Sequence, residues 1–216
     1  MNARVLPLRR PNGLRVLDLC CGAGGLSMGY WLAGFDVVGV DNRPQPDYPF
    51  PFVLADGIDY ARAHGAGFDL IHGSWPCERY ATVTRWRGNP DTHPDLIAPG
   101  RAAMAATGRP WVIENVPETA TAGILRPDYL LCGTQFGLSV RRHRVFETSW
   151  GGGGDLVPPC WHRRGLLAFT HKNERAYADA MGCTWMTSLA ARKAVPPAYT
   201  HWIATQFLTH EGRTAA

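Results

Sequence analysis

Long apolar runs are missing from this sequence. None approaches the roughly 18 to 20 residues that a membrane-spanning helix needs, so a transmembrane reading is excluded. The opening residues, MNARVLPLRRPNGLRV, carry no apolar h-region and no small-residue cleavage site, which argues against a secretory leader. Cysteine is sparse and irregular. Cys20, Cys21, Cys77, Cys132, Cys160 and Cys183 form no framework, and a chain of this length does not need disulfide staples. Reduced thiols and a cytoplasmic setting are therefore expected. Lysine is almost absent: of 22 basic residues only Lys172 and Lys193 are lysine. Arginine binds phosphate bidentately, so this balance suits a nucleic-acid ligand. No repeat occurs at periods of 20 to 50 residues.

What is present fits one compact catalytic domain. The chain has 216 residues, 45% hydrophobic and 19% charged, enough for a buried core and inconsistent with global disorder. The net charge of +4 permits a polyanionic partner without demanding one.

Short apolar runs that end in polar residues recur along the first two thirds. Arg15–Cys20, Asp36–Val40, Asp69–His72 and Trp111–Glu114 read as buried strands, and Leu26–Ala33 and Asp95–Thr107 as helices. This alternation predicts an α/β fold, a doubly wound and mostly parallel sheet with helices on both faces. Ligands in such sheets bind beyond the carboxyl ends of the strands. Trp150–Arg164, with four consecutive glycines and Pro158–Pro159, reads as an irregular loop. Tyr177–Leu208 regains helical patterning, broken at Pro196–Pro197. The expected division is a core over 1–146, a small insert over 147–180 and a returning helical segment over 181–216.

Two clusters carry chemistry. The run from Val16 to Gly25, VLDLCCGAGG, is a strand followed by a glycine turn into a helix, where backbone N–H groups can approach a ligand closely. Asp41 ends the next strand and can accept from both ribose hydroxyls; Asp56 ends a third candidate strand and can meet an adenine amino group. A dehydrogenase uses a similar layout for NAD, and unrelated strand-end acids are the bland alternative. The second cluster begins at His72–Tyr80, HGSWPCERY, where Cys77 follows proline at a strand end, rigid and accessible as a nucleophile should be. Glu114-Asn-Val116 ends a strand predicted to lie beside it, and Arg141–Arg144 adds a cationic strand. Thiolate, carboxyl and arginines together suit conjugate addition to a pyrimidine: the thiolate attacks C6 while a protonated carboxyl at N3 takes up the developing charge. Carbon 5 then attacks an alkyl donor.

In these motifs the chain resembles the DNA cytosine-C5 methyltransferases, most closely their short phage and prophage forms of actinobacteria, across about residues 15–146 and 181–208. DLCCGAGG looks like the family's cofactor loop, WPC its nucleophile motif, ENV its base-binding motif, RRHR its paired-arginine motif, and Lys193–Pro197 its closing motif. The resemblance implies a Rossmann-like core with a very small target-recognition insert. It implies S-adenosylmethionine as cofactor, bound by Asp18, Cys20, Gly22, Gly24, Gly25, Leu26, Asp41, Asn42, Asp56, Gly57, Pro76, Lys193 and Val195. It makes Cys77 the nucleophile and Glu114 the N3 ligand, with Arg144 on the base and Arg142 on a loop or phosphate. Trp75, Arg79, Tyr80 and Asn115 would serve the substrate, with Trp86 able to help close over it. The partner implied is double-stranded DNA with a flipped-out cytosine, with no membrane and no obligate protein partner. The insert is short for groove reading, so a relaxed target context and wholesale modification of a phage genome are expected.

The chain departs from the family pattern at Cys20 (for phenylalanine), Trp75 (for proline), Glu78 and Val140 (each for glutamine) and Lys193 (for asparagine or glutamine). An ammonium near the donor sulfonium would cost on the order of 4 kcal/mol at 4 Å and an effective dielectric near 20, before screening. A carboxylate on the transferred carbon would reverse that sign. Carboxy-S-adenosylmethionine and 5-carboxymethylcytosine are therefore the alternative donor and product, with Arg79 or Arg192 as a second cation. An RNA cytosine methyltransferase and a non-catalytic DNA-binding module are further alternatives. Cys160-Trp-His162 with Cys132 and Cys183 touches on a zinc site, but no CxxC knuckle supports it, and no metal is expected.

Overall fold

The structure is a computed structural model that describes residues 6, 8–152, 157–162, 166–168, 170 and 172–212. Parts of the expected glycine-rich loop, residues 153–156 and 163–165, lie outside the described residues, as do most of 1–7 and all of 213–216.

Seven strands form one sheet in the order β3-β2-β1-β4-β5-β7-β6. They are β1 (Arg15–Leu19), β2 (Asp36–Asp41), β3 (Phe52–Leu54), β4 (Leu70–Gly73), β5 (Trp111–Asn115), β6 (Tyr129–Leu131) and β7 (Arg144–Thr148). The helices are α1 (Gly25–Leu32), α2 (Gly57–His64), α3 (Thr82–Arg87), α4 (Ile97–Ala106), α5 (Glu118–Thr121), α6 (Glu174–Ala180), α7 (Ser188–Ala191) and α8 (Pro197–His210). β1 pairs in parallel with β2 and β4, and β4 with β5, whereas β7 runs antiparallel to both β5 and β6. The fold is a Rossmann-like, doubly wound, mostly parallel sheet. Chain order reverses between β1 and β4, and in such sheets ligands bind beyond the carboxyl ends of the strands at that switch point.

The strands read as unbroken apolar runs because both faces are covered. Val16 packs with α1 and α8 on one face, while Leu17 and Leu19 face the layer of α2 and α4. Helices α1 and α8 meet closely: a side chain at Gly29 would run into the Pro197 carbonyl and the Thr200 hydroxyl. Thr200 Oγ1 donates to the Leu26 carbonyl at 2.6 Å. The C-terminal segment is thereby tied to the first turn of α1, which follows the glycine turn.

Several boundaries differ from those expected. Of Arg141–Arg144 only Arg144 lies in a strand; the three residues before it approach β7 as irregular chain. The helical stretch from Tyr177 is three helices, with the turns at Gly182 and Pro196–Pro197 separating them. β7 continues to Thr148, so a sheet strand crosses the expected core boundary at 146. No helix among the described residues is long and apolar enough to cross a membrane.

Candidate active site

β1 ends in a tight reversal. Cys20 has φ 58, the one non-glycine residue with positive φ among those described, followed by Gly22 at φ 50 and Gly24 at φ 83. Cys21 N–H donates to the Val40 carbonyl at 3.1 Å, holding the turn against β2. Asp41, at the end of β2, accepts from the Gly22 N–H at 3.1 Å and from the Arg43 N–H at 3.0 Å. Gly24 caps α1 without any side-chain bond, so the first-turn amides of α1 have no side-chain acceptor from the cap. Nothing stands within 4 Å of where a Cβ of Gly22 would sit, whereas one at Gly25 would meet the Val195 backbone. Gly22 therefore borders open space suited to a ligand, while Gly25 and Val195 seal the turn from behind. This turn, with the Asp41 carboxylate at its rim and open space at Gly22, is where a nucleoside-type cofactor could be held.

Not every expected cofactor residue faces that turn. Asp18 is fully buried and accepts from the Ser27 hydroxyl; burial chiefly raises its pKa to about 7. It positions α1 behind the turn and has no surface to offer a ligand. Asp56 caps α2, accepting at Oδ1 from Ile58 N–H (2.8 Å) and Asp59 N–H (3.0 Å), and is exposed. Gly57 packs on the Trp75 ring, Asn42 is exposed just past β2, and Leu26 is buried at the start of α1.

Strands β4 and β5 are neighbours, which brings the Ser74–Arg79 loop and Glu114 to the same edge. Glu114 is buried at the end of β5 and pairs with Arg144 Nε at 2.9 Å. Burial pushes its carboxyl above the usual range; the Arg144 guanidinium and a Ser74 hydrogen bond oppose this without reversing it. Ser74 Oγ lies 3.2 Å from His72 Nε2, and His72 Nδ1 lies 2.8 Å from the Tyr30 hydroxyl. Burial lowers the His72 pKa to about 3, so a neutral imidazole links Tyr30 to the Glu114 neighbourhood. Cys77 is half-buried, and burial raises its thiol pKa; Arg144 pulls it down, Glu78 and Glu114 push it up. The resting nucleophile is a protonated thiol, and the Glu114 carboxyl at the same sheet edge holds a proton more tightly than a free carboxyl does.

Arg144 alone of the expected pair faces the reacting groups. Arg142 is buried, donating to the Tyr177 hydroxyl at 3.1 Å and to the Arg192 carbonyl at 3.3 Å. It ties α6 and the closing segment to the sheet, which makes it a positioning residue. Trp75 and Tyr80 are likewise not stacking surfaces. Trp75 is buried against Gly73 and Gly100, and Tyr80 is buried with its hydroxyl on Asp95. Large rings following the end of β4 fill the layer under α2 and α4, where apolar burial favours them. Trp86, by contrast, is 82% exposed. Asn115 spends both ends of its amide on backbone, donating to the Trp75 carbonyl at 2.8 Å and accepting from Val116 N–H at 3.0 Å. Arg79 donates to the His93 carbonyl at 3.1 Å and lies 3.7 Å from Asp91. Pro76 is half-buried between Trp75 and Cys77.

Lys193 Nζ pairs with Glu78 Oε1 at 2.7 Å. Of the cysteines considered with Cys160 and His162, Cys132 joins them but Cys183 does not. Cys183 is buried near the Val195 carbonyl, and His143 takes the fourth place. The sequence reading missed Ser74, His72, Tyr30 and His143. A polar residue inside an apolar strand, as in DLIH, is the one signal that could have found His72.

No protein-family model matches the chain. It is 28% identical, over 89% of its length, to the type II methyltransferase M.XorII of Xanthomonas oryzae pv. oryzae, and covers 43% of that protein. The chain thus spans less than half the length of the curated relative it matches. Among solved structures it is similar to the Dnmt2 methyltransferase of S. pombe (TM-score 0.44, 18% identity, 62% of this chain and 48% of that one). It is also similar to a DNMT2 variant of Spodoptera frugiperda (TM-score 0.45, 16% identity, 63% and 49%). The sequence relationship is to a methyltransferase, over nearly all of this chain.

Proposed function

We propose that this chain is a cytosine-C5 methyltransferase acting on DNA, with S-adenosylmethionine as donor. The observation that carries the reading is the meeting of Cys77, Glu114 and Arg144 at the carboxyl ends of β4 and β5, beside the glycine turn. Relationship to a type II methyltransferase and the arginine-heavy basic composition support it.

In this reading a cytosine leaves the duplex stack, since C6 is otherwise covered. Glu114, whose hold on a proton burial strengthens, donates to N3 in its protonated form. Arg144 stabilises the negative charge that builds on the ring and orients the Glu114 carboxyl through their 2.9 Å contact. The Cys77 sulfur forms a bond to C6, its proton passing to water, and C5 becomes nucleophilic. S-adenosylmethionine, when bound, supplies the methyl group that ends on C5. Loss of the C5 proton and of the sulfur then restores the C5–C6 double bond and frees Cys77. Gly22, the first turn of α1 and Asp41 would hold the donor.

The carboxymethyl alternative rests on an unmatched ammonium at Lys193. Glu78 meets that charge at 2.7 Å from within the chain, so a carboxylate on the donor is not required. Methyl transfer is the reading favoured. The expected setting is modification of phage DNA at a relaxed target context.

Trapping tests the reading. A fluorine at C5 cannot leave as a proton, so duplex DNA carrying 5-fluorocytosine should stay bonded to Cys77 in the presence of S-adenosylmethionine. An adduct formed with fluorinated RNA and not with DNA would make the chain an RNA enzyme. No adduct with either would leave a non-catalytic binding module.

A further inference from the structure

The structure assigns a second site. We propose that Cys132, His143, Cys160 and His162 bind one zinc ion as a tetrahedral Cys2His2 centre that fastens the insert to the sheet. One ligand atom from each of the four residues lies within 4.8 Å of the other three. Cys132 Sγ is 3.4 Å from His162 Nε2, and Cys160 Sγ is 3.6 Å from His143 Nε2. Zinc bonds of about 2.3 Å to sulfur and 2.0–2.1 Å to nitrogen imply tetrahedral edges of roughly 3.3–3.8 Å. Both measured edges fall in that range. The two imidazole rings stand 79° apart with centroids at 4.9 Å, so their nitrogens converge on a point without the rings stacking.

The donors come from three places: the end of β6, the approach to β7, and the irregular segment 157–162. Two thiolates and two neutral imidazoles exactly offset the charge of Zn²⁺, and binding releases the two thiol protons. The outer contacts fit as well. Thr134 Oγ1 donates to Cys132 Sγ at 3.6 Å, and the Cys132 N–H donates to Gln135 Oε1 at 2.6 Å. Apart from metal, the segment is held to this region by Gln135 Nε2 on the Pro158 carbonyl at 2.8 Å and by Trp161 N–H on Thr134 Oγ1 at 3.2 Å. A segment with no core of its own is where a structural metal contributes most. Its placement also matters for the chemistry proposed above, because His143 sits between Arg142 and Arg144. Metal at His143 would fix the backbone from which Arg144 reaches Glu114. The site itself does not depend on that chemistry.

Metal analysis of the full chain, purified under reducing conditions without chelator, tests the assignment, followed by exchange of the ion for Co²⁺. The expected result is about one zinc per chain and a Co²⁺ form with thiolate charge-transfer and intense tetrahedral d–d absorption. Cys160→Ser, at an exposed position, should lower zinc affinity at least roughly tenfold, while Cys183→Ser, outside the cluster, should leave it unchanged. If Cys160→Ser fails to fold, the Co²⁺ spectrum of the unaltered chain decides. A chain that takes up neither ion, a Cys160→Ser variant that folds and keeps full zinc affinity, or a Cys132–Cys160 disulfide in the fresh protein would each overturn the proposal.

Discussion

Asn115 and Trp75 are joined by a hydrogen bond of 2.8 Å from the Asn115 side-chain amide to the Trp75 carbonyl. Trp75 lies two residues before Cys77, and Asn115 directly follows Glu114. One bond therefore sets the thiol-bearing loop relative to the strand that carries the carboxyl. Asn115→Ala should leave a buried carbonyl unpaired, at a stability cost of about 1–3 kcal/mol. It should also lower kcat roughly 10- to 100-fold through misplacement of Cys77, with substrate KM little changed. Steady-state kinetics beside a thermal melt check this; an equal loss in KM alone would assign Asn115 to substrate binding.

Glu78 and Lys193 are separated by most of the chain yet pair at 2.7 Å. If Lys193 closes on the donor as proposed, removing the carboxylate alone, in Glu78→Gln, leaves its ammonium unmatched and should weaken S-adenosylmethionine binding several-fold. The double variant Glu78→Gln, Lys193→Asn should recover it, since the pair is coupled and its members are not independent. Because Lys193 is largely exposed, the coupling should be no more than about 1 kcal/mol and should fade with salt. Isothermal titration of all four proteins checks the cycle; additive effects would dissociate the pair from the donor.

Asp18 predicts how stability responds to pH. Its folded pKa is raised from 3.8 to about 7, chiefly by burial, so the folded state holds a proton that the unfolded chain gives up. Stability is accordingly lost as pH rises from near 4 to near 7, and the cost is fully present above about 7. A tenfold change in proton affinity is worth about 1.4 kcal/mol, which puts that cost on the order of 4 kcal/mol. Asp18→Asn keeps an acceptor for Ser27 and removes the charge. Its Tm should exceed that of the parent at pH 8, and the advantage should shrink towards pH 5. A difference that does not vary with pH would contradict the assignment.

The position of the candidate site at the sheet edge was legible in the sequence because its groups sit at the ends of buried strands. LIH before the Cys77 loop and WVI before Glu114 are short apolar runs that cannot continue into solvent, so their polar ends mark the sheet edge. The roles of Trp75, Tyr80, Asp18 and Arg142 were not legible in that way. Pattern identifies a residue's position along a strand or loop but not which side of the layer its side chain enters, and all four point inward. Cys132, Cys160 and His162 were grouped in the sequence but with Cys183, and His143 escaped for another reason. The cluster's ligands come from three separate segments, and only the fold brings them together.

The most direct measurement is nucleoside analysis by mass spectrometry of DNA treated with the purified chain and S-adenosylmethionine, with Cys77→Ser alongside. The account predicts 5-methylcytosine from the parent chain and none from Cys77→Ser. A methyl group on a cytosine nitrogen or on adenine, or 5-methylcytosine that persists in Cys77→Ser, would contradict it.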